Sequence, residues 1–151
     1  MLTLTSLNAA FDGIQNLSGL ETASNLLALD IDFNQVTNLS PIAGLTNLTQ
    51  LNAGWNLLTD CSPLAGLVNL ATNEMNSDQL TNLAPLGGLH KLVQLVVPWN
   101  RLTNCSPLTL SLIHICFGVV FSALCFHELV SSNFGRSPEL SYTAHASACN
   151  R

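Results

Sequence analysis

Charge is what this sequence has least of. Asp, Glu, Lys and Arg together make up 9% of its 151 residues, against about 25% in an ordinary soluble domain, so solubility has to rest on Asn, Thr, Ser and Gln. Basic residues are the scarcest, with four Lys and Arg in all, of which only Lys91 and Arg101 precede residue 110. Phosphate backbones are bound chiefly through Lys and Arg, which excludes nucleic acid as a partner. The net charge of −5 comes from Asp12, Glu21, Asp30, Asp32, Asp60, Glu74 and Asp78 set against Lys91 and Arg101, since beyond residue 110 Glu128 and Glu139 balance Arg136 and Arg151. Catalytic patterns are missing as well. The stretch before residue 110 holds one histidine, His90, with no partner in view, and no phosphate-binding glycine loop or Ser/His/Asp set stands out; an enzyme is not expected. The five cysteines, Cys61, Cys105, Cys116, Cys125 and Cys149, lack the close pairing of a metal site, and neither metal nor cofactor is expected. The amino terminus has neither the basic start nor the apolar run of a secretory signal, and it already lies inside the pattern described next, as if the chain began in mid-repeat.

What is present is a period. Asn34, Asn56, Asp78 and Asn100 stand 22 residues apart, and the rest of the unit keeps step. Leu26, Leu48, Leu70 and Leu92 precede these positions by eight residues, and Leu29, Leu51 and Leu95 by five. Val36, Leu58, Leu80 and Leu102 follow them; then come Leu39, Cys61, Leu83 and Cys105, then Pro41, Pro63, Pro85 and Pro107. One step back lie Leu4, Leu7, Ala9, Asp12, Ile14, Leu17 and Leu20, which makes about five units with the first worn and the last cut short. Each unit offers a short alternating strand whose apolar face one unit cannot bury alone, so neighbours must stack. An Asn at the turn can both donate to and accept from the backbone. Proline at the next corner stops a further strand or helix from forming there.

Two positions break the rule in the fourth unit: Asn73 takes a core Leu place, and Asp78 replaces the ladder Asn with a group that cannot donate when ionised. Cys61 and Cys105 take Leu places and read as buried thiols filling the core. A bridge between them is disfavoured, because two strand spacings of ~4.8 Å exceed the ~7 Å span of a disulfide.

The pattern L-x-x-L-x-L-x-x-N, carried by Leu48 to Asn56 and Leu92 to Asn100, resembles the leucine-rich repeat, and the segment Ser62-Pro63-Leu64-Ala65-Gly66-Leu67 resembles the internalin type. The resemblance covers residues 4 to 108. It implies an α/β-type repeat solenoid over residues 1–109, mostly β and coil, with a parallel concave sheet of one strand per repeat. The convex side is expected to be loops and short 3₁₀ turns, because proline interrupts the return path.

In that family the variable strand positions face the concave side, the usual ligand surface. Four residues before each ladder position stand Asn8, Asp30, Asn52, Glu74 and Val96, and two before it Ala10, Asp32, Gly54, Asn76 and Pro98. Immediately before it stand Phe11, Phe33, Trp55, Ser77 and Trp99. Aromatic residues bury large areas at low entropic cost, so Phe11, Phe33, Trp55 and Trp99, with Asp30, Asp32, Asn52 and Glu74, form the candidate ligand-binding set. Two readings of the stripe stay open, a binding ridge or a cover over the edge of the core. The carboxylates read as a solvated patch that steers a basic partner rather than as a calcium site, which wants six to eight oxygens. The expected function is protein recognition through the concave face. The alternatives are carbohydrate binding by the aromatic stripe, or a scaffold or targeting piece of a larger membrane-held surface protein. The resemblance also implies a secreted or cell-surface bacterial parent.

At Leu110 the period fails: the next unit calls for Leu at positions 114 and 117 and Asn at 122, where the chain has His114, Phe117 and Ser122. Leu110-Ser111-Leu112-Ile113-His114-Ile115 is the translation of CTG TCT CTT ATA CAC ATC, which resembles the transposase mosaic end of sequencing libraries. Residues 110–151 therefore read as a non-repeat tail of translated adapter and out-of-frame DNA. The other reading is a hydrophobic carboxy-terminal anchor over residues 108–126, a run free of Asp, Glu, Lys and Arg and just long enough to span a bilayer. Membrane is a partner only if that run is genuine.

Overall fold

The computed structural model describes residues 4–103 and 114–116. Six three-residue strands, β1 (Ser6–Asn8), β2 (Ala28–Asp30), β3 (Gln50–Asn52), β4 (Thr72–Glu74), β5 (Gln94–Val96) and β6 (His114–Cys116), form one sheet in chain order. Every pairing is parallel. Leu7, Leu29, Leu51, Asn73 and Leu95 stand in register along the sheet. The step is 22 residues from β1 to β5 and 20 from β5 to β6, where Gln94 pairs with His114 and Val96 with Cys116. The rest of residues 104–151, including most of the 108–126 run, lies outside the described residues.

Alternation within β2 to β5 sends the middle residue inward, and the residue two further on joins it: Ile31, Ala53, Met75 and Val97 are all buried. Leu26, Leu48, Leu70 and Leu92 close the core ahead of the strands, and Leu39, Cys61 and Leu83 close it behind the turn, in one continuous column. A fully buried leucine contributes roughly 2 kcal/mol. A lone unit would leave both flanks of its leucines wet, so the energy appears only when coils stack.

The return path is made of 3₁₀ turns at Leu20–Thr22, Ser40–Ile42, Ser62–Gly66 and Ala84–Gly88, the last three with Pro41, Pro63 and Pro85 near their start. The fixed proline φ suits that conformation, and the absent N–H is not needed there.

The buried amides tie each coil to its neighbours. Asn56 Nδ2 donates to the carbonyls of Ile31 at 2.9 Å, Ala53 at 3.1 Å and Gly54 at 3.1 Å, and its Oδ1 accepts from Val36 N–H at 2.9 Å. Asn34 and Asn100 repeat the set, with Ile14 N–H at 2.8 Å on Asn34 and Leu80 N–H at 2.9 Å on Asn100. Turn groups that would otherwise be buried unpaired are satisfied in this way.

The fourth unit departs as its sequence suggests. Asn73 is fully buried, and neither of its side-chain polar atoms has a partner. Asp78 Oδ1 accepts from Leu58 N–H at 3.0 Å, but its buried Oδ2 has no partner. Burial pushes Asp78 up to about 7, against the pull of the Leu58 and Asn56 N–H groups and with repulsion from Asp32 added. Cys61 is fully buried in the core, its thiol donates to Asn82 O at 3.4 Å, and burial with nearby Asp60 raises it to about 12. Cys105 lies outside the described residues.

Candidate functional site: the concave face and its aromatic ridge

Strand register sets the acidic column side by side: Asn8 against Asp30, Asp30 against Asn52, Asn52 against Glu74. Asn8 Nδ2 donates to Asp30 Oδ2 at 3.3 Å, and Asp30 Oδ1 accepts from Asp32 N–H at 3.1 Å. Asp32 Oδ1 accepts from Gly54 N–H at 2.6 Å. Partial burial pushes Asp32 up to about 6; the Gly54 hydrogen bond opposes this, and the charges of Asp30 and Glu74 add to it. The two basic residues of the described part are placed elsewhere, with Lys91 Nζ donating to Asn69 Oδ1 at 2.6 Å and Arg101 just past the last ladder Asn. Among the described residues no three His, Cys, Asp or Glu side chains come together in a way that could hold a metal ion.

Gly54 has a specific reason to be glycine. The Asn76 side chain lies across it so closely that any Cβ would collide with the amide. Gly54 is buried, and its N–H donates to Asp32 Oδ1 beneath that close approach. By position Gly54 is one more variable residue of the unit; the signal for its role is a glycine within a strand pattern, which often marks close approach.

The aromatic positions hold a second feature that the period does not reveal. Phe11, Phe33, Trp55, Ser77 and Trp99 all have left-handed backbones, with φ between 53° and 62°. Bulky side chains are uncommon there, and four of them, with Ser77 on the same backbone, show that the conformation recurs with the coil. The rings project outward: Phe11 is 72% exposed, Phe33 42%, Trp55 48% and Trp99 52%. They also meet one another. Phe11 and Phe33 stack with centroids 4.3 Å apart and planes within 10°, and Phe33 and Trp55 stack at 5.3 Å and 9°. Trp55 and Trp99 are 6.4 Å apart and tilted by 49°, leaning together over Ser77.

The geometry matches known proteins at the level of the whole coil. Internalin C2 from Listeria monocytogenes superposes with a TM-score of 0.74 and 34% identity, over 76% of this chain and 51% of that one. The fold is an internalin-like leucine-rich repeat. Internalin F from the same organism gives 0.67 at 24% identity, over 85% of this chain and 46% of that one, and supports the fold alone. The functional domain of InlJ from Listeria monocytogenes, which includes a cysteine ladder, gives 0.68 at 23% identity over 86% of this chain and 28% of that one. The internalin-like chain thus spans about half or less of each of these structures. No family model and no curated protein matches it. Leucine-rich-repeat folds of this kind are typically protein-interaction modules, and among the described residues no helix of this internalin-like coil is long and apolar enough to cross a membrane.

Proposed function

We propose that this chain is a protein-recognition module that takes a basic polypeptide on its concave face, with residues 1–109 as the recognition unit and the 110–151 tail outside it. The observation that carries the reading is the exposed ridge of Phe11, Phe33, Trp55 and Trp99 beside the carboxylates of Asp30, Asp32 and Glu74. Large exposed rings lose their contact with water only when a partner covers them, and unbalanced carboxylates favour approach by a basic surface. Asn52 lies between Asp30 and Glu74 in register and offers both donor and acceptor to that partner.

Carbohydrate binding by the same stripe is the less favoured reading. A sugar ring needs an open aromatic face, and the faces shared by Phe11 with Phe33 and by Phe33 with Trp55 are already taken by stacking. Catalysis has no part in the proposal, and turnover abolished by one substitution would overturn that.

The test is selection of a displayed random-peptide library on the immobilised chain, followed by rebinding to variants. Selected peptides are expected to lose about tenfold or more in affinity on Trp55→Ala or Asp30→Asn, while Ser62→Ala in a return turn leaves them unaffected. Binders indifferent to both concave substitutions would overturn the proposal.

A further inference from the structure

The ridge is interrupted once. Ser77 has the same left-handed backbone as the four aromatic residues, at φ 59°, but brings no ring, so the stack that runs Phe11, Phe33, Trp55 resumes only at Trp99. The Trp55 and Trp99 backbones are two coils apart, ~10 Å at the strand spacing, yet their ring centroids are 6.4 Å apart. The two indoles therefore lean toward each other over the gap.

A planar group held between two parallel rings needs about 7 Å from ring to ring, twice the van der Waals contact distance. At 6.4 Å and 49° the two indoles stand just short of that arrangement, so a planar guest requires them to turn toward parallel and part slightly. Charge selects the planar group. Glu74 sits on β4, three residues before Ser77 in the same coil, and Asp30 and Asp32 lie two coils away on the same face, with no Lys or Arg among the groups acting on Asp32. A guanidinium is planar, cationic and suited to stacking on indole; a lysine ammonium is not planar, and a neutral ring gains nothing from the carboxylates.

We propose that the gap over Ser77, walled by Trp55 and Trp99, is a slot that takes one arginine guanidinium of the partner. The proposal rests on the concave-face reading and specifies what that face reads.

The test uses the full chain, in which Trp55 and Trp99 are the two tryptophans, so indole emission reports on the slot directly. N-acetyl-arginine amide is expected to give a saturable change in emission, about fivefold tighter than N-acetyl-lysine amide at equal ionic strength, and maltohexaose none. Ser77→Phe fills the gap with a ring that Phe11 and Phe33 already carry on the same backbone, and is expected to weaken the arginine response about tenfold. Ser77→Gly is expected to keep it. Trp99→Ala removes one wall at an exposed position and is expected to weaken the response seen at Trp55, which decides the matter should Ser77→Phe fold poorly. Equal response to lysine, preference for the sugar, or a response untouched by Ser77→Phe in a folded variant overturns the slot. Library-selected peptides that depend on Trp55 and Asp30 but ignore Ser77→Phe also overturn it, and leave the concave-face reading standing.

Discussion

Asn56 and Asp78 stand at the same position of successive coils, and only Asn56 completes its hydrogen bonds. The Asn56 amide donates to three carbonyls and accepts from Val36, whereas Asp78 accepts from Leu58 and leaves Oδ2 buried without a partner. An ionised oxygen placed where an amide should donate is costly. A protonated one carries the hydrogen that the ladder position calls for.

The pH dependence follows from that pair. Asp78 is pushed up to about 7 in the folded chain, against about 3.9 unfolded. Between those values the folded state holds a proton that the unfolded state has released, so stability falls as pH rises through the window and the full penalty is present above about 7. Asp32, raised to about 6, adds a slope of the same sign. Thermal melts from pH 4 to pH 8 are expected to show a falling midpoint. Asp78→Asn is expected to be the more stable protein at pH 8, by on the order of 3 kcal/mol, with a shallower pH slope. Identical melts for the two proteins at pH 8 would contradict this.

Asn73→Leu is expected to stabilise. The substitution removes two buried polar atoms that have no partner and restores the leucine that Leu29, Leu51 and Leu95 supply in register. A gain of about 2 kcal/mol or more in urea unfolding is expected, from the lost desolvation penalty and the added apolar burial. An unchanged midpoint would mean that Asn73 is satisfied by a buried water.

Cys61 is expected to resist alkylation in the folded chain. Its side chain is fully buried and its thiol is raised to about 12, so almost no thiolate is present at neutral pH. Peptide mapping after treatment with iodoacetamide should find Cys61 unmodified without denaturant and modified with it. Ready labelling under native conditions would show that the third coil opens.

The tail makes its prediction at the level of DNA. β6 falls on His114–Cys116, within and just after the six adapter-like codons, and the sheet step shortens from 22 to 20 residues at that point. Source DNA amplified without a transposase step and resequenced from the codon for Cys105 to that for Phe121 is expected to continue the repeat in place of Leu110 to Ile115. If those codons persist, residues 108–126 have to be taken as a cap or anchor of the solenoid.

Much of this molecule is legible in its sequence because a solenoid folds locally in steps. Each inward strand residue from β1 to β5 meets its counterpart 22 residues away, so period and topology are the same information. The ladder amides, the Asn73 and Asp78 defects and the thiol at Cys61 could be read from position alone. What position does not report is torsion and rotamer. The left-handed backbones at Phe33 and Trp55, the lean of Trp55 toward Trp99, and the amide of Asn76 lying over Gly54 depend on angles and close approach, which a list of residue types does not encode.

The shared φ of Phe11, Phe33, Trp55, Ser77 and Trp99 has one more consequence. The backbone at these sites is the same whether the side chain is a ring or a hydroxymethyl group, and that side chain projects at least in part into solvent. One letter per coil can therefore be exchanged at this position, as a typesetter changes type in a fixed frame, and the outward surface altered without renegotiating how the coil stands.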